Sequence, residues 1–166
     1  NYIKKMAYGN KLNKKRSRCM KGMIVAVIMA VVCFGVYAGE NDGWLTDFDK
    51  AKEIAKQENR PILIDFSGSD WCGWCIKLDK EVFSQEEFKK FAADNLVLLL
   101  MDFPRRKEIA SEVKKRNEAL LQKYNVEGFP TVLLVDSEGN VIARTGYQEG
   151  GAAKYVEHIK KLLEKK

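Results

Sequence analysis

Two cysteines three residues apart, Cys72 and Cys75, are the residues whose type and spacing suggest chemistry. They lie between a strand-like apolar run over residues 62–66 and a helix-like run that begins at Ile76. At this spacing on a helix the two side chains share a face and can close a small disulfide ring. The pair therefore predicts a dithiol that can be oxidised and reduced.

Cys72 is predicted to lie at the N-terminus of that helix. Unpaired backbone N–H groups and the positive end of the helix dipole favour a thiolate over a thiol there. Such surroundings lower the pKa of a cysteine from about 8.5 to roughly 3.5–7.5. Because the thiolate is the species that attacks disulfides, we interpret Cys72 as the nucleophile and Cys75 as the resolving thiol.

A metal site and a structural disulfide are the alternatives for such a pair. Zinc usually takes about four Cys or His ligands, and the only further candidates are Cys19, Cys33 and His158. A structural disulfide that closes so small a loop gains little from restricting the unfolded chain. The motif beside a β-α-β pattern favours redox chemistry, with no metal and no cofactor other than the cysteine pair.

The basic character of the chain belongs to its first 38 residues. They hold eight of the 29 Lys and Arg and none of the 23 Asp and Glu, which leaves 21 basic and 23 acidic residues, a net charge of −2, in the remainder. The overall charge of +6 is therefore no argument for nucleic-acid binding, and we expect none.

Residues 1–38 have the layout of a secretory signal peptide. Basic residues precede an apolar run of 16 residues from Met23 to Ala38, which ends in Val36-Tyr37-Ala38. A spanning helix needs about 20 residues, although an uncleaved anchor with its basic flank stays open. We predict an exported, periplasmic protein, or one tethered to the membrane with its domain outside the cytoplasm. A polar lead-in over residues 39–45 and one domain over residues 46–166 follow.

Hydrophobic periodicity and turn residues predict elements in the order α-β-α-β-α-β-β-α. Thr46 is the predicted N-cap of the first helix, Ser84 opens a predicted capping box, and Pro104 precedes a long charged helix. The predicted helices cover residues 46–57, 72–82 with a second piece over 84–93, 105–124, and the segment after 150. The predicted strands cover residues 62–66, 96–101, 131–135 and 141–144.

Three motifs of this chain resemble the thioredoxin superfamily: Asp65-Phe66, Trp71-Cys72-Gly73-Trp74-Cys75 and Phe129-Pro130-Thr131. The resemblance covers about residues 46–166 and is strongest to extracytoplasmic thioredoxin-like proteins that carry Gly-Ser-Asp-Trp-Cys-x-x-Cys. The reductase domain of the bacterial thiol:disulfide interchange proteins is a further relative. The resemblance implies an α/β, thioredoxin-like fold with a central mixed four-stranded sheet flanked by helices.

Asp65 is the predicted proton shuttle of the site. In an apolar strand its carboxyl would be desolvated and its pKa raised, so it could accept or return the proton of Cys75. The resemblance supports this role. An aspartate that faces solvent at the end of the strand is the alternative, and the loop between Asp65 and Cys72 is one residue longer than in thioredoxin.

The resemblance also implies a surface for an extended substrate. It implies a cis Pro130 against the disulfide, where the adjoining backbone pairs with a substrate strand. Core packing is the alternative for Trp71. The predicted substrate-binding residues are Trp71, Gly73, Trp74, Phe129, Pro130 and Thr131.

The predicted function is that of an exported thiol:disulfide oxidoreductase that reduces protein or peptide disulfides through a mixed disulfide on Cys72. A disulfide oxidase or isomerase and a peptide-binding, chaperone-like module without redox turnover are the alternatives. By analogy, a membrane thiol transporter would supply electrons, and we expect a monomer. The uncharged Gly73 and Trp74 and the acidic Asp70 give the Cys72 thiolate little support, which predicts a reducing pair.

Overall fold

The computed structural model describes residues 43–164, so the predicted leader and the start of the lead-in lie outside the described residues. Within this range the chain forms four strands, five α-helices and one π-helical turn. The strands are β1 Ile62–Ser67, β2 Val97–Asp102, β3 Thr131–Val135 and β4 Val141–Thr145. The helices are α1 Phe48–Glu58, α2 Gly73–Leu78, α3 Glu86–Asn95, α4 Ser111–Lys123 and α5 Gly151–Leu163, with the π-helical turn Asp79–Phe83 after α2.

The strands form one mixed sheet in the order β2-β1-β3-β4. β1 runs parallel to β2 and antiparallel to β3, which pairs with β4 as an antiparallel hairpin. Every residue of β1 is buried, as its uninterrupted apolar run predicts for a central strand covered on both faces. The predicted α/β fold with a central mixed four-stranded sheet is confirmed.

Each face of the sheet carries its own core. Side chains alternate along a strand, so Leu63 faces α2, α3 and α5, whereas Ile62 and Ile64 face α1 and the end of α4. The predicted core residues Phe83 and Phe88 are buried on the α3 and α5 side. That side also carries the cysteine helix, so the packing of α2 against β1 fixes the position of the disulfide.

Two predicted N-caps are wrong by one residue, because Asp47 rather than Thr46 caps α1 and Gln85 rather than Ser84 precedes α3. The Asp47 carboxylate accepts the Lys50 N–H at 3.0 Å. Ser84 does not open a capping box, because the π-helical turn leads into it and leaves its backbone helical, whereas an N-cap needs extended backbone. Its hydroxyl donates to Asp79 at 3.1 Å, and α3 begins at Glu86.

The long helix predicted over residues 105–124 is wrong in its first six residues. Residues 103–110, which we call the basic loop, have no helical structure, and α4 begins at Ser111. The backbone N–H groups of Arg105, Arg106 and Lys107 donate to the carboxylate of Asp70. These bonds hold the segment against the turn before Cys72, so Pro104 opens a loop.

Trp44 and Leu45, assigned by sequence to the polar lead-in, are part of the folded domain. The Leu45 N–H donates to the Leu98 carbonyl at 2.9 Å, and the Leu45 carbonyl accepts the Leu100 N–H at 2.8 Å. The Trp44 ring packs on Phe83 with ring centres 5.1 Å apart. The sheet therefore gains a short parallel bridge along β2 before α1 begins.

Candidate active site

Cys72 and Cys75 form a disulfide at the start of α2. Cys72 is the N-cap of this helix, with extended backbone, and its Sγ accepts the backbone N–H of Cys75 at 3.2 Å. Both residues are buried, with 7% and 4% of their surface exposed. The predicted disulfide is confirmed. In the reduced protein the same N–H would favour a thiolate at Cys72.

The turn that leads into the disulfide is fixed by hydrogen bonds. The Gly68 carbonyl accepts the N–H groups of Trp71 at 3.2 Å and Cys72 at 2.8 Å. Ser69 donates its backbone N–H and its hydroxyl to the Asp102 carboxylate at 2.9 and 2.6 Å. The longer loop before Cys72 is therefore tied to the end of β2.

Asp70 holds the basic loop against the same turn. Its carboxylate accepts N–H groups from Arg105 at 2.9 Å, Arg106 at 2.7 Å and Lys107 at 3.2 Å. These bonds, that of Arg105 first, lower the pKa of Asp70 below its ordinary value. Its negative charge, two residues before Cys72, is thus balanced by backbone dipoles, a contact that the sequence does not reveal.

Trp71 is half-buried and connects the cysteine turn to two other segments. Its indole N–H donates to the Phe103 carbonyl at 2.8 Å. Its ring packs edge-to-face with the Phe129 ring, with ring centres 5.9 Å apart. The Arg105 guanidinium lies 3.6 Å from the ring centre. A Cβ at Gly68 would lie 2.5 Å from the indole, so Gly68 leaves the space that the ring fills.

Trp74, between the cysteines, is 56% exposed. Its ring centre lies 5.2 Å from that of Tyr147, and the Lys77 ammonium lies 5.1 Å from the Trp74 ring and 4.9 Å from the Tyr147 ring. The Tyr147 hydroxyl donates to Glu81 at 2.6 Å. Tyr147 follows β4, and nothing in the sequence pattern marks it as a neighbour of Trp74.

Asp65 lies in β1 with 6% of its surface exposed. Its register puts it on the same face as Leu63, the face that carries α2. Oδ1 is buried and has no hydrogen-bond partner among the described residues. Desolvation, and to a smaller extent the nearby charges of Asp79 and Asp102, raise the pKa of Asp65 to about 8. The carboxyl therefore faces the interior, and its pKa suits proton transfer near neutral pH.

The segment Phe129-Pro130-Thr131 enters β3 beside the end of β1. The Phe129–Pro130 peptide bond is cis, and the Thr131 hydroxyl donates to the Gly128 carbonyl at 2.7 Å. Phe129 stacks on Phe103 with ring centres 5.2 Å apart, besides its contact with Trp71. The structure thus links this segment to the cysteine turn through aromatic rings.

Gly73 is the remaining residue of the predicted substrate surface. It is exposed, and a Cβ there would meet nothing within 4 Å.

His158 lies on α5, where its ring Nε2 forms a hydrogen bond of 2.8 Å with the Thr145 hydroxyl. Residues 43–164 contain no group of three or more Cys, His, Asp or Glu side chains arranged to hold a metal. A cavity of about 290 Å³ lies between α1 and α4, lined in part by Phe48, Met101 and Asn117, on the other face of the sheet.

None of the helices in the described range is both long and apolar enough to span a bilayer.

Comparison with known proteins finds a matching family, related sequences and similar solved structures. A family model described as a thioredoxin-like domain matches residues 48–162. The disulfide bond reductase DsbH of Chlamydia pneumoniae is 39% identical over 126 residues, which cover 76% of this chain and 75% of that protein. A solved structure described as DsbH oxidoreductase superposes with a TM-score of 0.69 at 34% identity, covering 80% of this chain and 95% of that one.

A longer relative matches as well. The thiol:disulfide interchange protein DsbD of Cronobacter sakazakii is 30% identical over 165 residues, which cover 88% of this chain and 27% of that protein. This chain therefore spans about a quarter of that relative.

Proposed function

The chain belongs to the thioredoxin-like domain family, and from this membership we propose that it reduces protein disulfides outside the cytoplasm through Cys72 and Cys75. It is a thiol:disulfide oxidoreductase of the DsbH and DsbD type with a C-x-x-C disulfide. The observation that carries the proposal is the disulfide at the N-cap of α2, beside a strand that buries the carboxyl of Asp65.

The proposed cycle moves two electrons from the cysteine pair to the substrate. The Cys72 thiolate attacks one sulfur of the substrate disulfide, forming a mixed disulfide and releasing the other substrate sulfur as a thiolate, which takes up a proton. Cys75 then loses its proton and attacks the Cys72 sulfur. This step closes the Cys72–Cys75 disulfide and releases the second substrate sulfur.

Asp65 is proposed to take the proton that Cys75 loses. Its carboxyl is buried on the face of β1 that carries α2, with one oxygen unpaired within the described chain and a pKa raised to about 8. A base with a pKa near the working pH exchanges protons most effectively. Near pH 8 Asp65 is partly ionised and can accept a proton, which it returns when the disulfide is reduced again.

The exposed residues around the pair form the proposed docking surface for protein or peptide disulfides. Trp74 and Gly73 are open to solvent, and the backbone of Phe129, Pro130 and Thr131 would pair with an extended substrate strand. We propose that a membrane thiol carrier re-reduces the pair and that the protein acts as a monomer.

Several features support the reducing direction. Gly73 and Trp74 place no charge between the cysteines, so neither residue gives the Cys72 thiolate the ionic support that lowers a cysteine pKa. The C. pneumoniae relative is named a disulfide bond reductase.

We expect a redox midpoint nearer to about −270 mV, the potential of a reducing pair, than to about −120 mV, that of a strongly oxidising pair. Titration of the full chain with dithiothreitol, read by tryptophan fluorescence, measures it, and a midpoint near the oxidising value would favour the oxidase.

Insulin reduction by the full chain with dithiothreitol as electron source tests the activity itself. We expect turnover that Cys72→Ser abolishes, whereas Cys75→Ser should accumulate covalent adducts with substrate because the resolving thiol is absent. Adducts on Cys72→Ser instead would reverse the two roles. A folded chain without turnover would indicate a peptide-binding module.

A further inference from the structure

The basic loop carries three consecutive cations and is bound to the turn that precedes Cys72. Arg105, Arg106 and Lys107 are exposed, and their backbone N–H groups are bound by Asp70, two residues before Cys72. The indole N–H of Trp71 bonds the carbonyl of Phe103, in the same loop, at 2.8 Å. Four hydrogen bonds thus tie the loop to the turn that presents the nucleophile.

Within the described residues the side chains of these three cations form no ion pair, although the charge of Arg106 acts on the Asp70 carboxylate. The Asp70 carboxylate is engaged by backbone N–H groups, and Glu108 is the one acidic residue of the loop. The chain beyond residue 38 has a net charge of −2 (21 basic and 23 acidic residues), so the positive charge is local.

The charge lies on one side of the cysteine pair. On the Trp71 side, Arg105 rests on the indole with its guanidinium carbon 3.6 Å from the ring centre. On the Trp74 side, Lys77 has Glu81 4.0 Å from its ammonium. A substrate that reaches Cys72 along the Trp71 side therefore passes the basic loop, whose exposed cations outnumber its single acidic residue.

We propose that the basic loop recognises acidic residues next to the reactive disulfide of the protein substrate. This inference rests on the proposed reductase function and adds the charge of the substrate to it. Charges at the rim of an interface act mainly on the association rate and on the choice of partner. Asp70 and Trp71 bind the backbone of the loop, so the segment that carries the cations is held near the turn before Cys72.

Matched peptides test the proposal directly. Three synthetic peptides share one intramolecular disulfide and differ only in flanks of Asp, Ser or Lys. The full chain, reduced beforehand with dithiothreitol, is mixed with each, and tryptophan fluorescence follows oxidation of its cysteine pair. We expect a second-order rate constant about three- to tenfold higher for the acidic than for the Ser peptide, declining as salt is added.

The variant Arg106→Gln/Lys107→Gln removes two cations and leaves Arg105 on Trp71. We expect the acidic-to-Ser rate ratio to fall toward one while the rate for the Ser peptide is retained. The control Lys56→Gln/Lys161→Gln removes the same charge from exposed positions at the ends of α1 and α5 and should keep the ratio.

Three results would overturn the proposal: equal rates for the acidic and Ser peptides with the wild-type chain, an unchanged ratio in Arg106→Gln/Lys107→Gln, or an equal loss of the ratio in the control. Failure to reduce any of the peptides would count against the reductase function itself, so the two failures are distinguishable.

Discussion

Asp65 is buried in β1, and the residues of the described chain leave its Oδ1 without a hydrogen bond. Burial raises the pKa of this carboxyl from 3.8 to about 8. As the pH rises above about 4, the unfolded chain therefore loses this proton while the native state keeps it. The native state loses stability from about pH 4 to about pH 8, and the loss is complete above the folded pKa.

We expect Asp65→Asn to remove this dependence, because the amide stays neutral. The measured quantity is the free energy of unfolding of the oxidised variant minus that of the oxidised wild type. We expect this difference to be about 2–4 kcal/mol larger at pH 7 than at pH 4. Urea denaturation from pH 4 to pH 9 measures it, with Glu157→Gln on the exposed face of α5 as the control. Parallel curves for wild type and Asp65→Asn would contradict the raised pKa. The same variant should slow insulin reduction near neutral pH if Asp65 carries the proton.

At the residue level, sequence alone identifies the groups that spacing defines. Cys72 and Cys75 are marked by their separation, and Asp65 by its place in an apolar run. The roles of Asp70 and Tyr147 could not be predicted from the sequence, because their contacts join distant parts of the chain. Asp70 binds the basic loop, and Tyr147 binds Glu81. Local pattern carries no information on such contacts, which depend on where β2 and β4 end.

The cysteine turn depends on the absence of a side chain at Gly68. A Cβ there would lie 2.5–2.8 Å from three atoms of the Trp71 indole, so Gly68→Ala should displace the ring and weaken its hydrogen bond to Phe103. We expect a loss of about 1–3 kcal/mol in the free energy of unfolding, measured by urea denaturation, with altered tryptophan fluorescence. Gly73→Ala is the control, because its Cβ meets open space and should change the stability by less than about 0.5 kcal/mol. Equal effects of the two substitutions would show that the indole is not tightly held.

Among the elements, strands were predicted more accurately than helix starts. The runs of β1 and β3 are continuous and largely apolar, so their burial follows from composition. The residues before α4 have the composition of a helix, yet their N–H groups bind Asp70, 35 to 37 residues earlier in the chain. A long-range hydrogen bond overrides local propensity there, and only the folded sheet brings the two segments together.

The whole chain is predicted to act outside the cytoplasm. Residues 1–38 combine basic residues with an apolar run that ends at Ala38. We expect the full chain, produced in a bacterial host, to be protease-accessible in spheroplasts. N-terminal sequencing should find Gly39 first if the leader is cleaved, and the intact leader in the membrane fraction if it is an anchor. A domain protected from protease in intact spheroplasts and accessible only after lysis would contradict export.

The short bridge at Leu45 also protects the rim of the sheet. β2 is the outermost strand on one side, and an outermost strand offers unpaired amides and carbonyls on which a second chain can build. Leu45 occupies the Leu98 carbonyl and the Leu100 N–H. A chain that begins after Leu45 would keep both cysteines but would leave these backbone groups of the β2 edge unpaired. We expect the truncated chain to self-associate at lower protein concentrations than the full chain, while its cysteine pair still reacts with disulfides.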